Sequence, residues 1–139
     1  MFMSYEDAAA KLNNRGLHSF ASIIATHLTK GDNGEIHLVY HGTILVTYHM
    51  DNTFSLFSGG FKTKTTKARL CQFAPGSVVQ SAGEWFVFSR DGESVGFFEG
   101  IRIDALGEEV NPQDYEELNP GWDLHEATID NQIRKMFLS

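Results

Sequence analysis

Turn-forming residues punctuate the middle of this chain at short intervals, and that spacing limits what it can fold into. Lys30-Gly31-Asp32-Asn33-Gly34, His41-Gly42, Asp51-Asn52, Ala82-Gly83 and Arg90-Asp91-Gly92-Glu93 are clusters suited to tight reversal or positive φ. Between them lie short runs rich in Val, Ile, Thr, Phe and Tyr, which read as strands joined by hairpins. Residues 20–29, 35–41, 43–50 and 53–58 are expected to form a four-strand antiparallel meander. Residues 77–81, 84–89 and 95–103 are expected to form a second meander.

With His41-Gly42 as the turn, Tyr40 should face Thr43, Leu38 should face Leu45 and Ile36 should face Thr47. His37, Val39, Ile44, Val46 and Tyr48 then share the opposite face. Both faces are apolar enough to need cover, by a helix on one side and by a second layer or a subunit on the other. Three helices are expected. Ser4 caps the first, Asp7 stands three residues on, and Asn13-Asn14-Arg15-Gly16 stops it. Thr65 or Thr66 caps a short second helix, which runs to Phe73 and ends at Ala74-Pro75-Gly76. Residues 123–138 carry an approximate helical stripe and read as a terminal helix. The expected fold class is α+β: antiparallel meander sheets with short N-terminal, middle and C-terminal helices. The 139 residues suit one domain, with an acidic C-terminal extension over 104–139.

Charge is unevenly distributed. Nine acids and no Lys or Arg lie between Asp104 and Asp130, whereas Lys62, Lys64, Lys67 and Arg69 form a run of four cations without an acid. Such asymmetry speaks about partners rather than fold. The single cysteine, Cys71, cannot form an internal disulfide and reads as a small buried hydrophobe in a reducing compartment. No apolar run is long enough for a membrane span and the N-terminus is acidic, so a cytoplasmic protein with no membrane partner is expected.

Catalytic and metal readings find little to rest on. Six histidines (His18, His27, His37, His41, His49 and His125) are scattered, and no cysteine or carboxylate completes a tetrahedral set with them. There is no G-x-S-x-G elbow. Glu108-Glu109 and Glu116-Glu117 stand in solvated acidic stretches without the burial that a general acid needs. The expectation is a non-enzymatic protein with no catalytic residue, metal or cofactor.

The segment S-G-G-F-K-T-K-T-T-K-A-R-L, residues 58–70, is the informative one. Gly59 and Gly60 let backbone amides approach a ligand closely. Thr65 and Thr66 open a helix whose N-terminal amides favour an anion. Lys67 and Arg69, expected in the first turn of that helix, oppose its dipole, which a bound anion would explain. The Walker A spacing is absent. The candidate ligand-binding residues are therefore Gly59, Gly60, Lys62, Lys64, Thr65, Thr66, Lys67 and Arg69, and a phosphate group is the chemistry they suit.

The same stretch, preceded by H-G-T-I-L-V-T-Y-H-M-D-N-T-F-S-L-F and followed by G-E-W-F-V-F and G-F-F-E-G, resembles a group of small bacteriophage proteins. The matching residues are His41, Thr43, Ser58, Gly59, Gly60, Phe61, Thr63, Thr65, Thr66, Lys67, Arg69, Glu84 and Trp85. Phe61 stands where the pattern leads one to expect Trp, and Cys71 where it leads one to expect Asn. The resemblance covers roughly residues 20–103 and implies a phage setting. Two functions follow as expectations. One is a binding module for a phosphate-bearing ligand, either nucleic acid or nucleotide, in host takeover or counter-defence. The other is an inhibitor of a host protein through the acidic C-terminal surface, with Glu108, Glu109, Glu116 and Glu117 as contact residues. Self-association is a third kind of partnership left open by the apolar sheet faces.

Overall fold

In the computed structural model, residues 2–110 are described. Their elements, in chain order, are α1 (Tyr5–Lys11), β1 (Leu17–Ser19), β2 (Thr26–Lys30), β3 (Ile36–Tyr40), β4 (Thr43–Tyr48), β5 (Phe54–Leu56), α2 (Lys64–Phe73), β6 (Ser77–Ser81), β7 (Glu84–Phe88), β8 (Ser94–Gly96) and β9 (Ile101–Ile103). Hairpins form at the turn pairs. His41 and Gly42 have φ of 48° and 77°, and Ala82 and Gly83 have 53° and 82°. Paired positive φ gives a turn twist that matches the flanking strands.

The strands assemble into two antiparallel sheets, β1-β2-β3-β4-β5-β9 and β6-β7-β8. This corrects the α+β expectation: the protein is mostly β, with two short helices among the described residues. The helix signals at Ser4 and at the Thr63–Thr66 run are real but local, and each supports only a short element. The terminal helix expected over 123–138 lies outside the described residues. Two strand expectations are also corrected. Residues 20–25 form a loop, closed by Phe20 donating to Thr26 O and by Ala25 at φ 54°, so β1 and β2 are separate hairpin strands. The expected strand 95–103 breaks at Phe97-Phe98-Glu99-Gly100. Its first part stays in the small sheet, and its second part crosses to pair with β5.

The register of β3 and β4 also departs from the simple hairpin. Tyr40 faces Thr43 as expected, but the pairing shifts between Leu38 and Val39, so Leu38 faces Val46, His37 faces Thr47 and Ile36 faces Tyr48. Leu45 is the extra residue and is itself buried. Without this bulge Thr47 would turn to the core. With it, Leu28, Leu38, Val46, Leu56 and Ile101 align across neighbouring strands in one apolar row. Ile36, Tyr48, Phe54 and Ile103 form a second row on the same face. Leu70 and Phe73 of α2, Ala8 of α1 and Val78, Trp85 and Val87 of the small sheet complete the core. Each large side chain so buried contributes ~1.5–3 kcal/mol.

The opposite face of the large sheet carries a polar row: Thr29, His37, Thr47, Ser55 and Arg102 stand side by side on five strands. His37 Nδ1 and Thr47 Oγ1 are 2.8 Å apart, and His49 Nε2 and Ser55 Oγ 2.7 Å. Arg102, 1% exposed, donates from Nε to Thr53 Oγ1 (2.7 Å) and from Nη2 to Asp51 Oδ2 (3.3 Å). Asp51 Oδ1 in turn accepts from both the amide and the hydroxyl of Thr53.

Local details sharpen the reading of two residues. Ser4 and Asp7 make the full reciprocal capping box on α1. Cys71 is exposed rather than buried; its Sγ both donates to Val78 O and accepts from Val78 N. The thiol thereby satisfies outward backbone groups on β6, an edge strand otherwise open to pairing.

Candidate functional site

Helix α2 starts earlier than the threonine pair suggested. Thr63 is the cap, with φ −95° and ψ 164°, and its hydroxyl accepts from Thr66 N at 3.1 Å. Thr66, at the third helical position, is buried and its hydroxyl is 3.0 Å from that of Thr63. Two of the threonines therefore serve the helix start itself. Thr65 is exposed beside them. Lys64 is the first helical residue, and no acid stands in the first turn. Lys67 follows at its end, and Arg69 lies one turn further than the sequence suggested.

The Gly-Gly loop before the helix is held by Glu99. The Ser58 amide donates to both carboxylate oxygens (2.8 and 2.9 Å), Ser58 Oγ lies within 2.8 Å, and the Gly60 amide donates at 3.3 Å. The loop amides thus already meet an anion, supplied by the chain from the segment joining the two sheets. Gly59 has φ 65°, and a Cβ there would collide with Thr43 Cγ2; Gly60 has φ 83° and open space around it. Gly60→Ala should therefore cost about 1–2 kcal/mol from the left-handed backbone alone, and Gly59→Ala should cost more. Urea midpoints of the two variants measure the difference.

A pocket of about 250 Å³ opens above this loop. The hairpin turn contributes Tyr40, His41, Thr43 and, from β4, Leu45. The loop contributes Ser58 and Phe61, and the helix start Thr63 and Thr66. Two segments separated in sequence, 41–43 and 58–66, thus meet in one place. Phe61 at this pocket is 63% exposed. Tyr40 is held from two sides, with the Arg69 guanidinium 5.5 Å from its ring centre and the His41 ring 4.5 Å away at 63°. Arg69 Nε is buried and makes no hydrogen bond among the described residues. Ser58, Thr63 and Thr66 are committed to internal bonds, whereas Thr43 Oγ1 and the His41 ring make none among the described residues. A larger cleft of about 500 Å³ lies between α1 and the β2–β3 turn; residues 12–16 line much of it, and no residue of the basic segment does.

Of the four cations, Lys62 precedes α2, Lys64 and Lys67 lie in its first turns, and Arg69 lies further along it. Lys62 and Lys64 are exposed and Lys67 and Arg69 half-buried. Lys62 Nζ lies 5.9 Å from the Phe97 ring centre. None of the four has an ion-pair partner among the described residues. The acidic candidates lie elsewhere. Glu108 is half-buried and Glu109 exposed, in a short reversal where Ile103 bridges Glu109 and Val110 donates to Arg102 O. A side-chain hydrogen bond to Asp91, which favours the protonated form, then burial, then the charges of Asp104, Asp91 and Glu93 hold the Glu108 carboxyl above its ordinary range. Glu116 and Glu117 lie outside the described residues. No group of His, Cys, Asp and Glu among the described residues could hold a metal ion, and no helix among them is long and apolar enough to cross a membrane.

Two contributors to the site were not singled out by residue chemistry: Glu99, which holds the loop, and Tyr40, which forms a wall. The Gly-Phe-Phe-Glu-Gly string was the one visible sign of Glu99. Tyr40 looked like any strand aromatic.

The family model for Kyanoviridae Gp96 protein matches residues 6–104, more than half of the chain. The chain belongs to the Kyanoviridae Gp96 protein family. This is a phage protein family, so the bacteriophage resemblance holds at that level; the match does not bear on the Ser58–Arg69 pattern itself. The matched Gp96 region takes in both sheets, α2 and the pocket, and stops before Glu108. No curated protein and no solved structure matches the chain.

Proposed function

We propose that this Gp96-family chain is a non-enzymatic phage binding protein that holds a phosphate-bearing ligand, a nucleotide or nucleic acid, at the pocket between the His41-Gly42 turn and the start of α2. Host takeover or counter-defence is the setting such a phage protein suits. One observation carries the reading. The pocket opens at a helix N-terminus whose cations have no ion-pair partner among the described residues and oppose the helix dipole. Local stability does not account for Lys64 and Lys67 there, and a ligand anion does. Because Glu99 occupies the loop amides, the phosphate is assigned to Lys64, Lys67 and the first helical turn rather than to Gly59 and Gly60.

Binding of oligonucleotides and mononucleotides at two salt concentrations tests this. For a strand, each lysine that meets a phosphate contributes about one unit to the slope of log K against log salt. Lys64→Ala and Lys67→Ala should each weaken binding and lower that slope by roughly one. Binding that is absent, or unchanged in the double variant, overturns the proposal.

A further inference from the structure

We infer that the pocket takes the unstacked base of a nucleotide, so that the ligand is recognised by its ring and its phosphate together; this rests on the phosphate-binding reading above. The first argument is size. At about 250 Å³ the pocket is smaller than the ~300–1,000 Å³ that encloses a drug-sized molecule, and admits one ring system with the rest of the ligand outside. The second is the character of the walls. Tyr40, Leu45 and Phe61 offer apolar surface, and Phe61 is 63% exposed at the pocket. A base stacked on Phe61 removes that exposure. Tyr40 is braced by Arg69 and His41, so its wall is already positioned before a ligand arrives.

The third argument is the distribution of polar atoms. The hydroxyls of Ser58, Thr63 and Thr66 are engaged internally, which leaves Thr43 Oγ1 and the His41 ring to meet the edge of a base. Each of these can donate or accept, as recognition of a base edge requires. The fourth is the surroundings. Lys64 and Lys67 belong to the helix start that lends Thr63 and Thr66 to the pocket, and a nucleotide joins a flat ring to the anion those lysines suit. A base inside a duplex has both faces covered and cannot enter without being flipped out. The ligand is therefore a free nucleotide or an unpaired position in a strand.

The experiment compares ligands with and without a base on the full chain. The probes are nucleoside monophosphates against ribose 5-phosphate, and an oligothymidylate against the same strand of abasic units and against a duplex. Base-bearing ligands should bind roughly tenfold or more tightly than their base-free counterparts. Phe61→Ala, at an exposed position, and the isosteric Thr43→Val should reduce that advantage while leaving affinity for the abasic strand unchanged. Preference for the monophosphate or for the strand then identifies the source of the nucleotide. Equal affinity for abasic and base-bearing strands, or for duplex and single strand, overturns the inference but leaves phosphate binding standing. Absence of binding to every probe removes both.

Discussion

Asp51→Ala should lower the stability of this protein by about 3–5 kcal/mol, the cost of removing one end of a buried ion pair. Arg102 is 1% exposed and reaches Asp51 directly and through Thr53. The substitution removes the Nη2 contact, and it also frees the Thr53 amide and hydroxyl that Asp51 Oδ1 now accepts. A domain of this size has on the order of 5–15 kcal/mol in total, so the loss is a large fraction. The urea midpoint measures it. A second variant separates charge from packing. Arg102→Met combined with Asp51→Ala removes both ends of the pair, and its effect should fall short of the sum of the two single changes. Full additivity would mean that the two residues act independently.

Acid should destabilise the protein well before its carboxylates are protonated, and His49 is the reason. Burial first, then the charges of Arg102 and His37, hold its imidazole well below the usual histidine range. In the unfolded chain the same ring takes up a proton near pH 6.5. The folded state is therefore favoured above about pH 6.5 and loses that advantage as pH falls towards the depressed folded value, by up to ~1.4 kcal/mol per pH unit. His49→Gln keeps a polar group of similar length near Ser55 and removes the titration. Comparing the two proteins between pH 7 and 5 isolates His49 from the other histidines, including His37 with its 3.3 Å contact to Glu35. The wild-type curve should fall across this window more steeply than that of the variant.

What the sequence disclosed about this fold was what is local. Turn pairs such as His41-Gly42 and Ala82-Gly83 place their reversals because the glycine in each accepts positive φ without strain. The Ser4–Asp7 box announces α1 for the same kind of reason. Non-local choices were hidden. The extra residue at Leu45 depends on how both ends of β4 bury apolar groups at once, which no hairpin rule contains. The break at residues 97–100 follows from β9 joining β5, a pairing decided across the whole core. The α+β expectation fails because each capping signal supports only one short helix, whereas the strands supply most of the packed core. Of the site, the Gly-Gly break and helix start were legible as a segment. That Thr63 caps the helix, that Tyr40 forms a wall and that Glu99 holds the loop emerge only when residues far apart in the chain are brought together.

The hold of Glu99 on the Ser58 loop has a further consequence. A carboxylate fixed to the same chain is a tethered competitor, with an effective concentration on the order of millimolar even if its tether were loose. Any free anion aiming for those loop amides must displace a rival that never diffuses away. The loop is thereby reserved for shape.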